Sequence, residues 1–143
     1  MQAIKEFFST HDLFARHNGI ELLEADEGQA LVSMKIQPFH FNGAGTVHGG
    51  AIFTLADFAF AVASNSHGQV AMGISTSMNF VKSVLSGTLY ARATEQSRNA
   101  KLAAYSVIVT DDADNTVALF QGMVYRKKDS ILTFKVDNES NVG

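Results

Sequence analysis

Asp57 is the residue least at home in its surroundings. It lies inside Ala51-Ile52-Phe53-Thr54-Leu55-Ala56-Asp57-Phe58-Ala59-Phe60-Ala61-Val62-Ala63, the longest apolar stretch of the chain. An ionised carboxylate buried there without a partner would cost on the order of several kcal/mol. No Lys or Arg shares the stretch, so Asp57 either finds a partner elsewhere or meets solvent in a pocket. Desolvation would raise its pKa towards the range useful to a general base. The plainer alternative is an Asp that only hydrogen-bonds a neighbouring backbone group or a partner helix.

The same stretch is entered through Asn42-Gly43-Ala44-Gly45-Thr46-Val47-His48-Gly49-Gly50. Glycines at a helix start let a ligand approach the backbone. The first-turn N–H groups of a helix are unsatisfied, and its dipole favours negative charge there. Those are the requirements of an oxyanion hole, although a plain glycine-rich turn has the same composition. Gly49 and Asp57 are eight positions apart, roughly 12 Å along a helix axis. Side chains tilt back towards the N-terminus and recover only part of that distance. One chain therefore does not bring both groups to one carbonyl. Two antiparallel helices of a two-fold dimer would, with Gly49 of one protomer facing Asp57 of the other. If the two groups cooperate, the protein is expected to be an obligate dimer.

The elements that must hold these groups follow from periodicity. Residues 48–65 read as a helix, apolar almost all round and hence buried. Ile4, Phe7, Phe8, Phe14 and Ala15 predict one or two short helices over residues 3–17, with Gly19 to close them. Alternation predicts strands over 30–36 and, before it, 20–25, paired through Asp26-Glu27-Gly28. Four more strand-like runs cover 70–82, 88–96, 102–110 and 116–125, with turns at Ser86-Gly87 and Asp111–Asn115. One long central helix followed by an antiparallel meander is an α+β pattern, since no βαβ alternation occurs. We expect a single domain over residues 1–128, short N-terminal helices included, and a separate polar tail over 129–143.

Composition narrows the chemistry. At 143 residues, 46% hydrophobic and 17% charged, the chain has the length and apolar mass of one folded domain. A net charge of −3 with scattered basic residues argues against nucleic-acid binding. With no cysteine, disulfides, thiolate metal sites and thiol nucleophiles are excluded. His11, His17, His40 and His67 are dispersed and suggest no metal site. No Gly-x-Ser-x-Gly elbow supports a serine hydrolase. Met1-Gln2-Ala3-Ile4-Lys5-Glu6 lacks the apolar core of a signal peptide, and the 51–63 run is too short and wrongly charged for a membrane span. The expected location is the cytoplasm.

The run from Asn42 to Phe60, with its spacing Asn-x5-His-Gly-Gly-x6-Asp, resembles the signature of the hotdog-fold acyl-CoA thioesterases. It is most similar to the PaaI branch, the phenylacetate-pathway type. The resemblance spans about residues 19–127. It implies a long helix wrapped by a curved antiparallel sheet, in dimers that commonly pair into tetramers. It implies hydrolysis of an acyl- or aryl-CoA thioester to the free acid and CoA. Asp57 would be general base or nucleophile, the Gly49 N–H would polarise the thioester carbonyl, and Asn42 would position water or substrate. His48 would order the loop or simply cap the turn. Ser75 would help hold the catalytic water, or be an ordinary strand serine.

Gly50, Phe53, Phe80, Lys82, Arg98 and Lys101 are the expected substrate contacts. The cations are drawn from a set with Arg126, Lys127 and Lys128 that could meet the CoA phosphates. Phe41, Phe58 and Phe60 are the other aromatic candidates, for a pocket or for the core. The resemblance implies no metal and no separate cofactor, CoA being part of the substrate. Departures occur where relatives hold the CoA nucleotide: Asn79-Phe80 runs into Val81-Lys82-Ser83, and Asn99-Ala100-Lys101 replaces a Gly-Lys turn. Two other functions fit the same fold, a non-catalytic acyl-CoA sensor and an enoyl-CoA hydratase. Asp57 argues against the first. The distance of His48 from Asp57 along the helix argues against the second.

Overall fold

The computed structural model describes residues 1–133. Two short helices, α1 (Gln2–His11) and α2 (Leu13–His17), meet at Asp12, whose carboxylate accepts the Ala15 N–H at 3.1 Å and caps α2. Gly19, at φ 75°, ends the pair in a left-handed conformation that suits glycine. Strands β1 (Ile20–Asp26) and β2 (Gln29–Lys35) form a hairpin over Glu27-Gly28. A 3-10 turn at Pro38–His40 leads to the long helix α3 (Gly49–Asn65). After it come β3 (Gln69–Phe80), β4 (Thr88–Arg98), β5 (Leu102–Thr110) and β6 (Thr116–Ser130).

The six strands form one antiparallel sheet in the order β1-β2-β4-β5-β6-β3. The meander expected after the helix therefore holds only for β4 to β6. β3 is not the neighbour of β4: it pairs with β6 at the far edge, while β4 pairs with β2. Residues 81–87 are the reason. Ser86-Gly87 looks like a tight hairpin turn in isolation, but the whole connection is long enough to carry the chain back across the end of the sheet.

α3 lies across one face of this sheet. Leu55, Ala56, Ala59, Val62 and Ala63 are fully buried against Val32, Met34, Leu89, Ala91, Ala93 and Val109. The alanines on both layers let backbone approach backbone closely. A Cβ on Gly122 would lie 2.6 Å from the Phe60 ring, itself packed against Tyr105 and Phe120. Only glycine leaves room for that ring.

The helix is not buried all round, contrary to its composition. Gly50 and Asp57 are exposed, and Phe53, Thr54 and Ala61 are half-buried. These positions fall at i, i+3, i+4, i+7 and i+11, a single strip along one side of α3. An apolar helix read by composition alone looks core-like on every face, whereas the sheet covers only part of its circumference.

β6 continues past the expected boundary at 128 to Ser130, and the Ile131 N–H bonds the Gly68 carbonyl at 2.9 Å with its side chain buried. The rest of the expected tail, from 134 on, lies outside the described residues.

Candidate active site

The loop before α3 is held by Asn42. Its carboxamide oxygen accepts from Ala44 N (2.9 Å) and Thr46 N (3.1 Å), and its amide donates to the Thr46 hydroxyl (2.9 Å). In this chain Asn42 is thus bound into its own loop. His48 is the N-cap of α3. Its Nδ1 accepts the Gly50 N–H at 2.8 Å, which leaves the proton of the neutral ring on Nε2. Capping is what His48 does here.

Gly49 is the first residue of the helix. Its N–H has no acceptor among the described residues, because the cap takes Gly50 and the next amides return to the His48 carbonyl. It faces a cleft of about 300 Å³ bounded by Val47, Ile52, Phe80 and Val84. Phe80 is 54% exposed, and its ring comes to 3.2 Å from where a Gly49 Cβ would stand. Phe80 therefore flanks the Gly49 backbone at the edge of this cleft. Phe53 sits on the exposed strip, its ring edge-on to Phe120 at 5.7 Å. Phe58 and Phe60 are core, at 4% and 2% exposure, and Phe41 is half-buried in the loop.

The Asp57 carboxylate has no hydrogen-bond or ion-pair partner among the described residues, and the residue is exposed in the single chain. Of the alternatives left open by the sequence, a bond to a neighbouring backbone group of the described residues is not what the structure shows: Asp57 faces outward. Its carboxyl still sits close enough to the protein for desolvation to raise its pKa, and the like charge of Asp12 adds to that rise.

The other expected residues are distributed differently. Lys82 borders the Gly49 cleft, but its ammonium is bound to the carboxylate of Asp111. That ion pair helps hold the Asp111 carboxyl at a pKa of about 2. Arg98 meets Glu95 at 3.4 Å. Glu95 also accepts from His67 (2.8 Å) and the Tyr105 hydroxyl (2.9 Å). Burial would push the Glu95 carboxyl up, and these donors with the Arg98 charge bring it below the usual range.

Lys101 lies in the turn after Arg98, its carbonyl bonded to Arg126 N. Arg126 stands opposite Ala71, which Asn65 holds at the C-terminal end of α3. Arg98 and Lys101 are thus at the opposite end of a helix about 25 Å long from Gly49. Ser75 pairs with Met123, just past a bulge in β3, and Met123 is on the sheet face turned away from α3. Within one chain the structure does not bring Ser75 to Asp57.

Two residues that matter here carried little weight in the sequence. His40 is 2% exposed: Nδ1 accepts from Gln37 N (3.0 Å), Nε2 donates to the Asn18 carbonyl (3.1 Å), and its own carbonyl accepts His48 N (2.7 Å). Burial lowers its pKa, against a smaller opposing effect of the Asn18 bond, which suits a neutral ring. Asp12 is the second. An Asp before a short helical pattern is a legible capping signal, but nothing local indicates that the charge reaches Asp57. Among the described residues no group of three or more His, Asp or Glu converges as a metal site would. No described helix is long and apolar enough to cross a membrane.

Residues 44–118 match the thioesterase superfamily. This chain belongs to that superfamily. Among its relatives, an Archaeoglobus fulgidus protein named "Putative esterase" is 39% identical over 88% of this chain and 82% of its own length. The acyl-coenzyme A thioesterase PaaI of Escherichia coli is 35% identical over 81% of this chain and 84% of its own length. The solved structure of that PaaI, from the phenylacetic acid degradation operon, superposes with a TM-score of 0.87 at 32% identity, covering 90% of this chain and 94% of that one. A Streptococcus mutans protein solved bound to acetyl CoA gives a TM-score of 0.72 at 26% identity, over 76% of this chain and 88% of that one. The fold is the hotdog fold, α+β, with a curved six-stranded sheet around α3. The chain is a PaaI-like thioester hydrolase.

Proposed function

We propose that this thioesterase hydrolyses acyl-CoA thioesters to the free acid and CoA, at two equivalent sites formed between the α3 helices of a dimer. One observation carries the reading. Among the described residues, a donor suited to an oxyanion at the helix start, Gly49 N–H, and an acceptor suited to a proton on its exposed strip, the Asp57 carboxylate, both lack a partner. The relatives named an acyl-coenzyme A thioesterase and solved with acetyl CoA support CoA as the leaving group.

The dimer reading rests on the edge of the sheet as well as on the helix. β3 is a 12-residue edge strand with Met72, Ile74 and Phe80 exposed. A long unprotected edge invites pairing with a second copy. An antiparallel pair of α3 helices with Gly49 opposite Asp57 of the partner has its two-fold near Phe53. The same arrangement carries the far end of one α3, with Arg98 and Lys101, towards the other chain's Asn42 loop. Basic side chains at opposite ends of one chain would then converge on CoA phosphates. Pairing of these dimers into tetramers belongs to the same proposal.

In the reaction, the thioester oxygen gains negative charge as its carbon is attacked, and the Gly49 N–H at the positive end of α3 stabilises that charge. Asp57 takes a proton from the attacking water, or attacks the carbon itself to give an anhydride that water then opens. Collapse expels a thiolate. Its conjugate thiol has a pKa near that of cysteine, about 8.5, so little acid assistance is required. A hydratase would need a second titrating group beside Asp57, and His48 is spent on the cap. The test is thiol release from acyl- and aryl-CoA thioesters, which a chain without cysteine allows with no protein background. Binding without release would favour the sensor.

Asp57 must be ionised in either route, so activity falls on the acid side as the pH drops through its pKa. Asp12→Asn removes a like charge while keeping a capping side chain. We expect its acid limb to move to lower pH with the plateau rate little changed. A pH–kcat/KM profile superimposable on the wild type would show that Asp12 does not act on the catalytic carboxylate.

A further inference from the structure

Lys82 is the one charged side chain among the described residues lining the cleft that the Gly49 N–H faces. Its side chain is 43% exposed, and its ammonium meets the carboxylate of Asp111 in the β5–β6 turn. That ion pair is not what fixes either partner. Backbone bonds fasten residues 81–87: Val81 N and Lys82 N to the Val117 carbonyl (2.8 and 3.2 Å), Val47 N to the Val84 carbonyl (3.0 Å), and Ile36 N to the Gly87 carbonyl (2.9 Å). Thr88 N adds a bond to the next carboxylate of the turn, Asp112 (3.0 Å). Asp111 is held independently, its Oδ1 accepting Ala113 N (3.0 Å) and Asn115 N (2.9 Å). Its Oδ2 is the atom turned to Lys82. An ion pair that solvent reaches contributes little to stability. Lys82 can therefore leave at small cost, and the carboxylate keeps its two backbone donors.

We propose that Asp111 is an internal competitor for the phosphate groups of CoA: it holds the Lys82 ammonium at the Gly49 cleft and yields it to a phosphate when a thioester enters. The inference rests on the acyl-CoA reading and adds a regulation of that site. A lysine ammonium is a compact point charge on a flexible stem, which either anion can claim. A phosphate monoester brings more negative charge than a carboxylate, so the exchange runs towards the ligand. The phosphates are remote from the reacting carbon and are the same in the thioester and in the released CoA. A tighter hold on them lowers KM without raising kcat, and it delays departure of the product. Asp111 tempers that hold. Asp112 and Asp114 share its turn, so removing one carboxylate also lessens a general repulsion of phosphate, which a double-variant cycle separates from competition.

The probes are two non-hydrolysable thioethers, S-ethyl-CoA and S-ethyl-pantetheine, which differ by the nucleotide and its phosphates, titrated calorimetrically against the full chain. Asp111→Asn removes the charge and keeps an Oδ1 acceptor for the turn. It is expected to bind S-ethyl-CoA about threefold more tightly than the wild type, within what an exposed ion pair commonly contributes. Lys82→Gln should bind it about tenfold more weakly, as loss of a hydrogen bond between charged groups entails. Neither variant should alter binding of S-ethyl-pantetheine, which reads the integrity of the cleft. In the Lys82→Gln background Asp111→Asn should change nothing, since no ammonium is left to compete for. A gain of equal size in that background would mean that the carboxylate merely repels phosphate, and would overturn the competition. So would Asp111→Asn without a gain, or a weakening of both thioethers by either variant. Thiol release from acyl- and aryl-CoA thioesters, followed alongside, tells the two readings apart. The gain in binding without release leaves the competition standing and removes the enzyme; release without the gain does the reverse.

Discussion

Asp57→Asn is expected to lower thiol release from acyl-CoA by about 10³-fold, within the 10²–10⁴ that a positioned base commonly supplies. Asn matches Asp in shape but accepts no proton from water and forms no anhydride, so both routes are closed together. The position is exposed and has no partner among the described residues, so the fold and the association of subunits should survive. Stability should move the other way. A carboxyl whose pKa is higher in the folded than in the unfolded chain makes the folded state weaker as the pH rises through that interval. Asn lacks this loss, so the variant should melt at a higher temperature than the wild type at neutral pH, and the difference should vanish in acid. Turnover within tenfold of the wild type would remove Asp57 from the chemistry.

Gly49→Pro should be nearly as damaging and is the sharper test of the other half of the site. Proline deletes one N–H and little else here. It is favoured at the first position of a helix. The residue before it, His48, sits at φ −62°, ψ 135°, the extended conformation that a following proline requires. No internal hydrogen bond is lost, since the Gly49 N–H makes none among the described residues, and the exposed Phe80 ring can yield to the added carbons. Loss of one oxyanion donor corresponds to about 10²–10³ in kcat. We expect that loss with the melting temperature held. Gly49→Ala keeps the N–H and should retain activity far better, although its methyl crowds Phe80. Parity between the Ala and Pro variants would mean that bulk, and not the amide, is what position 49 controls.

The sequence was informative where chemistry is local. The strand-like run Leu102–Thr110 placed β5 at its observed limits, Asp26-Glu27-Gly28 located the first hairpin, and the His-Gly-Gly run located the start of α3. It was silent where distant segments decide. Nothing in Val70–Lys82 says that this strand seeks β6 and not β4; that follows from the length of the crossing that comes after it. The composition of α3 hides its open strip, because an alanine under a sheet and an alanine beside one are the same letter. Nothing local to Lys82 announces Asp111, 29 residues later, whose carboxylate its ammonium meets in this chain. Asn42 and His48 were singled out for the site, and within this chain the bonds they make are to their own loop and helix.

His40 ties three parts of the chain together: its buried ring bonds the Asn18 carbonyl at the end of the N-terminal helical pair and the Gln37 N–H in the turn, and its backbone carbonyl accepts the N–H of His48, the cap of α3. The helical pair is therefore not a removable appendage, even though the superfamily match begins after it. Cutting the chain back to residue 19 would strand a ring nitrogen in the interior with nothing to donate to, and the strain would be felt at the first turn of α3. Exchange of this leader between relatives, as a route to altered substrate choice, would have to carry the histidine and its acceptor as one inherited unit.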